Sequence, residues 1–178
     1  MRRIIIILVV ILFSSSASAW ELKKSVDAMT DKVSHTVFVV SNDGSRFTLI
    51  RKSDNSVWGY IELVGMNQFM VNERLLLRVD TNPPKEQNND FNKMMASLGL
   101  SDSAPKMWEW NPNLIGFRIW HGKIDEGCGY IQELFEGKKL VIRYHPNQST
   151  TKDVYFDISK NKAAIPTALG IDMDQCGK

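Results

Sequence analysis

The chain reads as a mainly β protein: an antiparallel β-sandwich or strongly curved sheet carrying two or three short helices. Three observations predict this. Most segments rich in β-branched and aromatic residues alternate apolar and polar side chains with a period of two. Clusters of Asn, Asp, Gly and Ser separate these segments at intervals too short for the crossovers that parallel strands require. Helical spacing is confined to a few short stretches.

The chain opens with Arg2 and Arg3, an apolar run from Ile4 to Phe13, and a small-residue stretch ending in Ala17-Ser18-Ala19. That layout predicts a secretory signal over residues 1–19, cut so that the mature protein starts at Trp20. The apolar run is about half of the roughly 20 residues needed to span a bilayer. No membrane span is therefore expected after cleavage, and no Cys follows the site to carry a lipid. Removal of 19 residues from 178 leaves 159, the size of a single β-rich globular domain over 20–178. Loss of Arg2 and Arg3 leaves 20 basic against 20 acidic residues, a formal net charge of zero. With no polybasic run, nucleic acid is excluded as an expected partner.

Thr36 to Val40 are β-branched or aromatic throughout and end at the turn signal Asn42-Asp43-Gly44-Ser45. Phe47 to Lys52 alternates, with Phe47 and Leu49 on one face. Asp54-Asn55-Ser56 then turns the chain into Val57 to Val64. Leu75, Leu77 and Val79 share a face in the next strand, ahead of an exposed loop over 81–89. Phe91, Met94, Met95 and Leu98 fall at helical spacing and stop at Gly99. Ile131, Leu134 and Phe135 suggest a second helix, stopped by Gly137. Leu140, Ile142 and Tyr144 form one face of a strand, and Val154, Phe156 and Ile158 one face of another. A third helical turn through Ala163 and Ala164 would be capped by Ser159 and limited by Pro166.

Cys128 and Cys176 are the two cysteines. Export into an oxidising compartment predicts that they are joined, closing a loop that ties down the C-terminal tail. There is no Cys-x-x-Cys to suggest redox chemistry.

Catalytic signals are lacking. No Gly-x-Ser-x-Gly or Ser-x-x-Lys occurs, and His121 near Cys128 reads as a loop residue beside an oxidised cysteine. His35, His121 and His145 are scattered without metal-ligand spacing, so neither metal nor other cofactor is expected. Asp125-Glu126 and the pair Asp172 and Asp174 sit in turn-rich segments and read as solvated. Trp108-Glu109-Trp110, if extended, puts two indoles on one side, suited to a partner, a sugar ring or the core. Arg78 and Arg143 each end an apolar run and are candidates for ion pairs with Asp80 or Asp153, or for a ligand surface. The candidate partner-binding residues are therefore Trp108, Trp110, Arg78 and Arg143.

Several spaced segments together resemble the periplasmic VasI/TagO-like family associated with type VI secretion. They are Trp20 with Asp27-Ala28-Met29-Thr30-Asp31, then Leu75-Leu76-Leu77-Arg78-Val79-Asp80 with a following Pro. Leu134, Leu140-Val141-Ile142-Arg143-Tyr144-His145-Pro146, Val154-Tyr155-Phe156-Asp157-Ile158 and the terminal Cys complete the resemblance. The chain departs from that family's pattern at Leu49–Ser53, where members often place a Cys and this chain has none. The resemblance implies no catalytic residues. The expectation is an exported periplasmic accessory or binding protein, acting on a protein or cell-envelope partner and linked to type VI secretion. The alternatives are a cell-wall or polysaccharide hydrolase built on paired carboxylates, and a periplasmic immunity protein or inhibitor.

Overall fold

The computed structural model describes residues 19–26, 28–31, 33–65, 67–70, 74–87, 108–122 and 127–176. The expected signal segment, the expected helix around Phe91–Leu98, and Asp125-Glu126 lie outside these residues.

Among the described residues, ten strands form two antiparallel sheets. The strands are β1 (Glu21–Val26), β2 (Val33–Val40), β3 (Arg46–Arg51), β4 (Val57–Glu62), β5 (Leu75–Val79), β6 (Lys85–Gln87), β7 (Trp108–Asn111), β8 (Leu114–Trp120), β9 (Lys139–Asn147) and β10 (Thr150–Asp157). The first sheet has the order β1-β2-β3-β4-β8-β7, and the second β10-β9-β5-β6. The first four strands are a simple meander. The chain then crosses to the second sheet for β5 and β6, returns for β7 and β8, and crosses again for β9 and β10.

Alternation decides which side chains meet between the sheets. Phe47 and Leu49 of β3, Val37 and Val39 of β2, and Ile115 and Phe117 of β8 are fully buried. From the other sheet come Leu75, Leu77, Leu140, Ile142 and Phe156, equally inaccessible, with Val79, Tyr144 and Val154 almost so. They form one continuous hydrophobic cluster. Phe47 and Phe156 bridge it, ring centroids 6.0 Å apart. Each such side chain contributes about 1.5–3 kcal/mol relative to exposure, which makes this interface the main source of stability.

Local chemistry sets the turns. Between β2 and β3, Asp43 accepts hydrogen bonds from the Ser41 hydroxyl and from the Ser45 N–H, the latter at 3.0 Å. Gly44, with φ +85°, supplies the left-handed residue. Trp20 is fully buried, 6.2 Å from Phe47 between ring centroids. Its backbone is held at both polar groups: its N–H donates to Lys160 O at 3.2 Å, and its carbonyl accepts from Asn161 Nδ2 at 2.6 Å.

Among the described residues, two short α-helices accompany the sheets. α1 (Tyr130–Glu136) buries Ile131 and Leu134 and ends at Gly137, whose N–H donates to Glu133 O. α2 (Ala164–Leu169) differs from expectation in two ways. Ser159 does not cap it; its N–H and hydroxyl both donate to Asp157 Oδ1, closing the end of β10. Pro166 does not limit it either. It occupies the third helical position, where the backbone N–H would have no intrahelical partner, so the missing donor costs nothing.

Cys128 and Cys176 are joined, their Cα atoms 4.9 Å apart. The bridge links the loop before α1 to a 3-10 turn, Met173–Gln175. Beside it, Trp120 Nε1 donates to Gly127 O at 2.7 Å. At the other end of the C-terminal segment, Arg51 Nη1 donates to Leu169 O (2.8 Å) and Gly170 O (2.9 Å), satisfying carbonyls at the end of α2. Arg51 thus tethers this segment from within Leu49–Ser53, the stretch that lacks a Cys.

Candidate functional site

Burying one face of the four-stranded sheet commits the alternate residues to its outer face. Cross-strand register aligns them in rows. Tyr155 of β10 lies beside Val141 of β9, which lies beside Arg78 of β5. The neighbouring row runs Asp153, Arg143, Leu76. Together with Pro84, these side chains line an open groove of about 90 Å³. Tyr155 is also shared with a second groove of about 240 Å³, bounded by Ser41, Asn42, Lys138, Lys139, Phe156 and Asp157. The two grooves thus abut across one exposed ring.

The charges on this face are not equivalent. Arg143 makes a two-pronged contact with Asp153, Nε to Oδ1 at 2.7 Å and Nη2 to Oδ2 at 2.8 Å. The hydrogen bond from Arg143 holds the Asp153 carboxyl below its ordinary range, and burial only partly opposes it. Lys139 Nζ sits 4.4 Å above the Tyr155 ring, in cation–π range. Arg78 is exposed and makes no ion pair with any described residue.

The structure thus brings Arg78 and Arg143 onto adjacent strands of one face. The ion pair expected for Arg143 forms with Asp153. The one considered between Arg78 and Asp80 does not, because Asp80 accepts backbone N–H groups of Lys138 (3.1 Å) and Lys139 (2.8 Å) instead. Trp108 and Trp110 lie in β7 at the edge of the other sheet, so the two aromatic candidates and the two arginines belong to different surfaces. The side chains of Trp108 and Trp110 lie outside the described residues. Register pairs them with Phe117 and Ile115.

Tyr155 and Lys139 were not among the candidates. Their signal was present in the sequence: a large aromatic and a lysine in the wet register of strands whose alternate residues are core. Only the pairing of β9 with β10 puts them together.

A second polar cluster occupies the outer face of the six-stranded sheet. Glu109 of β7 accepts from Tyr60 Oη at 3.0 Å and from Lys52 Nζ at 3.2 Å. Lys52 also lies 4.7 Å above the Trp58 ring. The register runs Tyr60, Gly116, Glu109, so Glu109 reaches Tyr60 across a strand position that has no side chain. Burial pushes the Tyr60 phenol up. Burial opposes the Lys52 charge, yet hydrogen bonds with Tyr60 and Glu109 outweigh it and hold that ammonium above its usual value. With both Glu109 oxygens engaged, the cluster fastens edge strand β7 to β4.

The three histidines occupy separate places: His35 in β2, His121 after β8, and His145 in β9 beside Thr151 at 3.3 Å. Among the described residues no group of three His, Cys, Asp or Glu side chains could hold a metal ion. No family model, curated protein or solved structure matches the chain. Among the described residues, no helix is long and apolar enough to cross a membrane.

Proposed function

We propose that the chain is an exported binding or accessory protein that engages a protein or cell-envelope partner through the outer face of its four-stranded sheet. The observation that carries this is the groove in which Arg78, the Arg143–Asp153 pair and the exposed Tyr155 surround a small apolar floor. Arginine and tyrosine on an accessible surface are the residue types that anchor protein interfaces. At about 90 and 240 Å³, both grooves fall below the roughly 300 Å³ at which small-molecule sites begin, so they suit side chains of a partner better than a cofactor. The joined cysteines fit an oxidising compartment, in keeping with export. The periplasmic location and the type VI secretion link belong to the same proposal. They rest on the signal-like residues 1–19 and on the family-like segments alone.

The test is site-specific photo-crosslinking in the native cell, with the reactive residue placed at position 155 and, as a control, at Thr48 on the other sheet. Discrete adducts from position 155 alone are expected in the envelope fraction. Absence of adducts at 155, or equal adducts at both positions, overturns the docking face. Intact mass of the exported form should correspond to a start at Trp20; retention of Met1 would remove the export reading.

A further inference from the structure

The exposed apolar side chains are not scattered. Of six large ones among the described residues, four fall between positions 22 and 33: Leu22, Val26, Met29 and Val33, the methionine 92% exposed. All four belong to the β1–β2 hairpin. β1 pairs with β2 from Glu21 opposite Phe38 to Val26 opposite Val33, whereas β3 joins β2 only from Thr36 onward. Val33–His35 therefore pair with Lys24–Val26 alone, and a two-stranded ribbon is marginal in water. Leu22, Val26 and Val33 share one face of this ribbon, the face on which Val37 enters the core.

Side chains hold β1 weakly. All six of its residues are exposed, and its anchor is the fully buried Trp20 just ahead of it. The slot it fills is nevertheless specific. It offers the β2 edge, an aromatic neighbour in Phe47 for the indole, and Lys160 O and Asn161 Nδ2 for the backbone beside it. A segment that meets all of these demands is β1 of another copy. Simple edge-to-edge addition of a second copy is disfavoured. The two symmetric antiparallel registers that pair most of β1 set Lys23 against Lys23 or Lys24 against Lys24, and like charges directly opposite are destabilising. The turn between β1 and β2 also carries strain, because Asp31 stands at φ +53° without being glycine.

We infer that two copies of the chain exchange β1 reciprocally, Trp20 of each seating in the pocket of the other, to form a strand-swapped dimer. Every contact that β1 makes within one chain is remade with the second copy, so exchange leaves those contacts unchanged in number. The gain arises at the crossover. The opened turns of the two copies run past each other in opposite directions and bring Val26, Met29 and Val33 of one against those of the other. Apolar surface that a single copy leaves in water is thereby covered, and this offsets the entropy of association. Extension of the turn also releases Asp31 from its left-handed conformation. The cut expected before Trp20 gives β1 a free end, so the strand can withdraw without drawing a longer segment with it. The outer face of the four-stranded sheet takes no part.

The test uses the mature chain from Trp20, its start checked by intact mass, in two forms of different mass, Ser25→Cys and Ser34→Cys. These positions face each other across the β1–β2 ladder, and the two native cysteines are already joined. The two forms are held together at high concentration, just below the melting temperature, and then oxidised. The mixed 25–34 covalent dimer should predominate, because exchange sets position 25 of one chain beside position 34 of the other. Light scattering of the unsubstituted chain should show a dimer that grows with concentration. Val26→Thr with Val33→Thr should weaken that dimer at least about tenfold. Asp31→Gly should weaken it several-fold by easing the closed turn, while Tyr155→Ser should leave it unaltered. A monomer at every concentration, like-with-like crosslinks as abundant as mixed ones, or a dimer indifferent to the valine and Asp31 variants overturns the inference. Crosslinking from position 155 to an envelope partner does not depend on exchange, so such a failure leaves the docking face standing.

Discussion

At the residue scale, Gly116 shows how an absent side chain can be required. A Cβ at this position would lie 2.4 Å from Tyr60 Cε1 and 2.7 Å from Tyr60 Cδ1. The Tyr60 ring therefore rests on the backbone of β8, and its hydroxyl reaches Glu109 beyond it. Gly116→Ala should cost about 1–3 kcal/mol, the usual price of overpacking. The decisive measurement is a double-mutant cycle by urea denaturation: Tyr60→Ser should be markedly less damaging in the Gly116→Ala background than alone. Additive losses would show that the ring and the glycine are not coupled.

At the element scale, the C-terminal segment is held by two separate devices, and each can be removed alone. The Cys128–Cys176 bridge spans 48 residues of sequence, and the chain-entropy model gives about 4 kcal/mol for a loop of that size. Cys176→Ser should lower the melting temperature by roughly 10 °C, since 1 kcal/mol corresponds to about 2–4 °C in a domain of this length. A calorimetric scan showing no fall would mean the bridge is absent or idle. Arg51→Met removes the donor to Leu169 O and Gly170 O and should cost about 1–2 kcal/mol. Limited proteolysis separates the two: cleavage near 173–176 is expected to rise in the cysteine variant, and cleavage near 169–171 in the arginine variant. Identical cleavage patterns would contradict independent tethers.

At the scale of the whole molecule, the titrating groups frame a window of stability. Burial raises the phenols of Tyr60, Tyr130 and Tyr144 above their ordinary value. A phenol raised on folding contributes stability that is complete below the unfolded value of about 10 and is lost as pH rises beyond it. The opposite sign holds for four carboxyls. Burial opposes ionisation of Asp43, but hydrogen bonds from Ser41 and Ser45 outweigh it, while those from Ser56, Arg143 and Ser159 lower Asp54, Asp153 and Asp157. Their contribution is present above the unfolded value of about 3.9 and disappears as pH falls through the depressed folded values. Urea midpoints should therefore be flat across neutral pH, falling below about pH 4 and above about pH 10. Asp153→Asn should flatten part of the acid limb. An unchanged acid limb in that variant would mean the Arg143 contact does not persist in solution.

The sequence by itself determined the class of fold and the dry faces of its clearest strands. Period-two alternation at Phe47–Leu49, Leu75–Val79 and Leu140–Tyr144 is a local property of the backbone, and turns such as Asn42–Ser45 are set by neighbouring residues. The joining of Cys128 and Cys176 was also readable, because no other thiol competes. Less was readable where identity depends on a distant neighbour. β1, Glu-Leu-Lys-Lys-Ser-Val, carries lysines as an exposed edge strand does and has no apolar alternation of its own. It is a strand because β2 pairs with it. β8 is interrupted by Gly116, whose reason is a tyrosine 56 positions away. The candidate site belongs to this second kind. Arg78, Lys139, Arg143 and Tyr155 come from three strands, and neither their row order nor the engagement of each carboxylate exists until the second sheet has formed. Tertiary structure decided the site because cross-strand pairing converts separate wet residues into one surface.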